Sequence, residues 1–74
     1  MNKQEFLVEL TEIMQLDDTV LSTDILTEFE EWDSMAHLGV ISFFDMEFGI
    51  ELAIDKLKAV NTADELILLA GAIT

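Results

Sequence analysis

The chain has 74 residues, 51% of them hydrophobic, with three lysines, sixteen acids and a formal charge of −13. It contains no cysteine, which excludes a disulfide staple, a thiolate nucleophile and a thiolate metal site. The basic residues are Lys3, Lys56 and Lys58, and every acid except Asp64 and Glu65 falls between Lys3 and Lys56. Such a field repels nucleic-acid phosphates and anionic lipid, and attracts basic protein surfaces.

A chain of this length is read as one domain spanning residues 1–74, stabilised by apolar packing alone. Met1 to Glu5 lacks the basic and apolar runs of a secretory signal. The longest apolar run, Leu66 to Ala72, is too short to cross a bilayer. A cytoplasmic monomer with no membrane insertion is expected.

Proline is absent and glycine occurs only at positions 39, 49 and 71, so nothing breaks the helical patterns early. Asn2 to Leu16 reads as an amphipathic helix, with Phe6, Leu7, Leu10, Ile13 and Met14 on one face and a capping pair in Asn2 and Glu5. Leu16 to Asp33 reads as a folded loop with a helical turn near residues 22–28. Val20, Leu21, Ile25, Leu26 and Phe29 are expected to pin that loop to the core.

A second helix is predicted from Asp33-Ser34 to Phe48, with Gly49 as its stop. Its apolar residues are too many for one stripe, so some must face outward or toward a partner. Ile50 to Ile54 is a connector, and Asp55 to Val60 a short helix capped by Asp55. Thr62-Ala63-Asp64-Glu65 opens a last helix with a capping box, and Ala63, Leu66, Ile67 and Ala70 form its inner face. The predicted fold is all-α, a small antiparallel bundle of three main helices plus one short helix, with a long loop between the first two helices.

Serine occurs at positions 22, 34 and 42, and Ser34 alone sits where an acidic loop turns into a strong helix. Asp33 and Ser34 are both good N-caps. If Ser34 caps, backbone occupies its hydroxyl. If Asp33 caps, Ser34 falls at the first helical position with its hydroxyl exposed; the high rank of Asp as a cap favours this arrangement. A helix N-terminus suits a phosphate ester, whereas Glu30, Glu31 and Asp33 oppose one until a cation or a basic surface neutralises them.

Ser34 and His37 stand at i and i+3, and Asp33 completes the residue types of a hydrolytic triad. Asp33 adjoins Ser34 and is poorly placed to orient His37, and no oxyanion donors are evident. No enzyme activity is expected, and His37 is read as a surface residue. The acids around Asp17, Asp18 and Asp24 lack the spacing and glycine of a calcium loop.

The run Asp33-Ser34-Met35 resembles the Asp-Ser-Leu/Met motif of acyl carrier proteins. Phe44 to Ile50 is similar to that family's second-helix end, and Thr62 to Leu66 to its final helix start. With length, acidity and helix order, the resemblance covers nearly the whole chain. Trp32 stands where many members have glycine, and Ala36, His37 and Gly39 replace more polar residues, which points to a specialised stand-alone member.

The resemblance implies covalent attachment of 4'-phosphopantetheine, taken from coenzyme A, to Ser34, with Asp33 as the motif's helix cap. It implies acyl cargo held as a thioester for fatty-acid, polyketide or related biosynthesis. The implied partners are a phosphopantetheinyl transferase and acyl-handling enzymes with basic docking surfaces. Met35, Leu38, Glu30, Glu31 and Trp32 are the candidate docking residues, although a ring as large as that of Trp32 is more often buried, which favours reading it as an anchor of the loop on the core. An aminoacyl carrier of peptidyl or D-alanyl type shares the arm and is the first alternative. A plain acidic interaction module or nucleic-acid mimic is the alternative of a different class.

Overall fold

The computed structural model describes residues 1–71 and consists of four α-helices and one 3-10 turn. Helix α1 spans Lys3–Met14, α2 Ser34–Phe48, α3 Ile54–Lys58 and α4 Ala63–Ala70, with the 3-10 turn at Leu26–Glu28. This is the small helical bundle that the periodicity predicts, and the long loop lies between α1 and α2.

Each long helix starts where side chains satisfy its unpaired N–H groups. Asn2 accepts from the Glu5 amide while Glu5 accepts from the Asn2 amide, closing the first capping box. Thr62 and Glu65 form the same reciprocal pair at the head of α4. At the far ends, Gly49 and Gly71 adopt left-handed backbone and stop α2 and α4.

Helix α3 corrects the predicted boundaries. It begins at Ile54 and ends at Lys58, and its N-cap position is Ala53, which makes no side-chain cap bond. Asp55 therefore lies inside the first turn, where its charge still favours the positive end of the helix dipole. Val60 stands beyond the helix and is buried.

The core is built from Phe6, Leu10, Val40, Phe44, Leu57 and Leu66, all nearly inaccessible, with Val20 and Leu26 supplied by the loop. Ala36, Val40 and Phe44 recur every four residues and define the inner stripe of α2. The Phe6 ring lies 5.7 Å from Phe43, 6.1 Å from Phe44 and 6.4 Å from Phe48, so one α1 aromatic joins three on α2. Helices α1 and α2 also meet where Gly39 leaves room for Ile13, a contact without space for a larger residue.

The loop is held by named bonds. Buried Thr11 donates its hydroxyl to Leu7 O at 2.7 Å and accepts from the Val20 amide at 2.9 Å. Across the molecule the Leu26 amide donates to Asn61 O, the Ala63 amide to Asp24 O and the Asp64 amide to Ser22 O. An isolated antiparallel bridge pairs Ile25 with Thr62. Of the five expected pins, Val20 and Leu26 are buried and Phe29 is half-buried against the core. Leu21 and Ile25 are not pins: both side chains are exposed, because the chain is fixed there through backbone bonds.

Candidate functional site

The head of α2 settles which residue caps it. Asp33 has extended backbone and its Oδ1 accepts from the Ala36 amide at 3.1 Å. Ser34 is thereby the first helical residue, exposed, and its hydroxyl makes no hydrogen bond among the described residues. The carboxylate consumes one of the unpaired amides and leaves the serine oxygen to solvent. No other acid lies in the first turn of α2, so the remaining positive end of its dipole faces outward beside Ser34.

Around Ser34 the chain places two kinds of surface. Met35 is 79% exposed and Leu38 62%, large values for apolar side chains. Glu30, Glu31 and Asp33 are exposed just before them. Farther along α2, Met46 is also exposed, between Asp45 and Glu47. An open cleft of about 480 Å³ begins at Leu38, one turn from Ser34, and continues past Ile41 and Ser42 to Leu52 and Ala53 of the α2–α3 connector. A second cleft of about 300 Å³ lies on the α1 side, lined by Ile13, Met14, Glu31, Asp33 and Met35.

Trp32 is buried at 9% exposure and belongs to the core cluster. Of the two roles open to it, the structure shows the anchor, with little of its ring left to solvent. Its amide donates to Phe29 O at 3.1 Å, which turns the chain into the Asp33 cap.

His37 departs from expectation. It is half-buried instead of a surface residue, with its ring centroid 4.7 Å from that of Trp32 at an interplanar angle of 84°. Its Nε2 is enclosed and has no hydrogen-bond partner. Burial pushes the imidazole below its ordinary value; the Lys58 ammonium of α3 adds to the effect and the Asp33 carboxylate opposes it. No Ser34–His37 bond forms, so the residue types of a triad are present without the contact that a triad requires. Sequence periodicity did not signal the Trp32–His37 contact, because the two residues belong to different elements. The only available hint was an imidazole one turn inside an apolar helix.

Among the described residues, no group of three or more His, Cys, Asp or Glu side chains is arranged to hold a metal ion. No helix there is long and apolar enough to cross a membrane. No family model, curated protein or solved structure matches the chain.

Proposed function

We propose that the chain is an acyl carrier protein, with Ser34 as the attachment point of a 4'-phosphopantetheine arm. The observation that carries this reading is the division of labour at the α2 head: Asp33 makes the cap bond, and Ser34 keeps an exposed, unbonded hydroxyl. An Asp-Ser pair with these two roles is suited to accept a bulky phosphodiester without loss of the cap. The resemblance of Asp33-Ser34-Met35 to the carrier motif supplies the identity of the group.

The site's residues fit such an arm. Amides of the first turn of α2 and the helix dipole favour the negative phosphodiester. The arm, when bound, contributes a thiol that holds the cargo as a thioester, so the chain itself needs no catalytic group. During attachment the Ser34 oxygen displaces adenosine bisphosphate from coenzyme A and gives its proton to a base on the transferase. Met35 and Leu38 offer the apolar contact for that enzyme and for later ones, while Glu30, Glu31 and Asp33 steer basic surfaces toward it. The cleft that opens at Leu38 is the place for an apolar cargo to shelter. Fatty-acyl, polyketide and aminoacyl cargo share this architecture.

The test is incubation with coenzyme A, Mg²⁺ and a broad-specificity phosphopantetheinyl transferase, read by intact mass. The expected result is a gain of one phosphopantetheinyl group that Ser34→Ala abolishes. Met35→Ala and Leu38→Ala are expected to remain modifiable but to slow the reaction several-fold. An unmodified chain, where a known carrier reacts, rejects the proposal and leaves the acidic interaction module as the better reading.

A further inference from the structure

The pairing of Trp32 with His37 has a chemical consequence that is independent of what Ser34 carries. The two residues bracket the capped serine: Trp32 precedes Asp33, and His37 stands one turn into α2. Their contact joins the end of the loop to the helix that it enters. The Asp33–Ala36 cap bond lies between them, and the His37 amide donates to Asp33 O at 2.9 Å. Whatever loosens the ring contact therefore acts on the short segment that presents Ser34.

We propose that His37 is a positioning residue for Ser34: as a neutral imidazole packed on Trp32 it holds the 32–37 segment, and on protonation it releases that segment. The geometry supplies the reason. Nε2 is enclosed with no acceptor, so the imidazolium would bury an N–H bond and a share of positive charge without a partner. The charged groups facing it are Lys58 from α3, which repels the imidazolium, and Asp33 from the helix head, which attracts it. Asp33 is exposed to solvent and already committed to the Ala36 amide, which limits its compensation. Burial and Lys58 outweigh it, as the lowered imidazole value reflects.

The sign follows from linkage. A base whose folded-state value lies below 6.5 binds protons less readily when folded than when unfolded. The packed form is fully stable above the ordinary value, loses stability as pH falls below 6.5, and levels off once His37 is protonated in the folded chain.

The chain contains its own reporters: one tryptophan, no tyrosine and one histidine. The imidazole of the intact chain is titrated by proton NMR while Trp32 emission is followed from neutral pH downward, with circular dichroism as a control for unfolding. The expected result is an imidazole midpoint below 6.5 and a red shift of Trp32 emission at the same midpoint, with helix content retained. His37→Phe, which keeps an aromatic ring against Trp32 without a charge, is expected to abolish the emission change. Lys58→Gln is expected to raise the imidazole midpoint. Flat emission across the imidazole titration, an unchanged transition in His37→Phe, or an imidazole that stays neutral until helix content is lost would each overturn the proposal.

Discussion

At the scale of single residues, one hydrogen bond decides how the site is presented. Asp33 Oδ1 on the Ala36 amide keeps Ser34 at the first helical position with its hydroxyl exposed. Loss of an N-cap of this type costs about 1 kcal/mol, which lowers the melting temperature of a domain of this size by about 4–8 °C. Asp33→Ala is expected to show that drop in a thermal melt followed by circular dichroism. Asp33→Asn, which retains an acceptor, is expected to recover most of it. Equal melting of Asp33→Ala and the parent would mean that the cap bond contributes little. This much of the site was legible in the sequence, because cap preference is a local property and Asp ranks with Ser in it. The His37 environment was not legible, because its enclosure depends on the loop bringing Trp32 onto α2 and on α3 bringing Lys58 near.

At the scale of elements, Gly39 sets how closely α1 and α2 approach. A Cβ at this position would lie 2.8 Å from Cγ2 of Ile13, a branched side chain with little rotameric freedom. Alanine in place of a mid-helix glycine normally gains about 1 kcal/mol in helix propensity. Forcing a methyl into a filled contact costs about 1–3 kcal/mol. The collision is expected to win, so Gly39→Ala should lower the melting temperature. In an Ile13→Ala background the same change should be neutral or stabilising, a coupling that a double-mutant cycle reads directly. A stabilising Gly39→Ala in the parent chain would show that the helices have slack. In the sequence Gly39 stood out only as a departure from the pattern that the chain resembles; the reason for it belongs to packing between helices. The helix starts with side-chain caps, Asn2, Asp33 and Thr62, were legible in the sequence. The start of α3 was misplaced by one residue, because Ala53 carries no cap and leaves no local mark.

At the scale of the molecule, charge dominates. Among the described residues the single ion pair is Lys3 with Asp64, at 3.0 Å between half-exposed side chains, a weak contribution to stability. The remaining acids repel one another within a body of 27 × 24 × 17 Å. At about 10 mM salt the screening length is about 30 Å, so the molecule lies within its own field; at about 1 M it is about 3 Å. The melting temperature is expected to rise as salt increases over this range, as measured by calorimetry. A salt-independent melt would show that the acids are spaced widely enough to tolerate one another. The sequence made the sign and size of this field plain, along with the count and order of the helices. It showed the loop's apolar pins Val20, Leu26 and Phe29 but not its bonds to residues 61–64, because those use backbone groups, which every sequence carries alike.

That fastening has an entropic consequence. Ser22, Asp24 and Leu26 exchange backbone bonds with Asn61, Ala63 and Asp64, residues separated from them by about forty positions along the chain. The unfolded chain must close a loop of that span before a single one of these bonds forms, and closure entropy grows with loop length. A protein whose other hydrogen bonds, among the described residues, stay within helices, caps and turns or reach only from Thr11 to Val20 thus carries a seam of the long-range kind that sheets depend on. That seam raises its contact order above that of a simple string of helices.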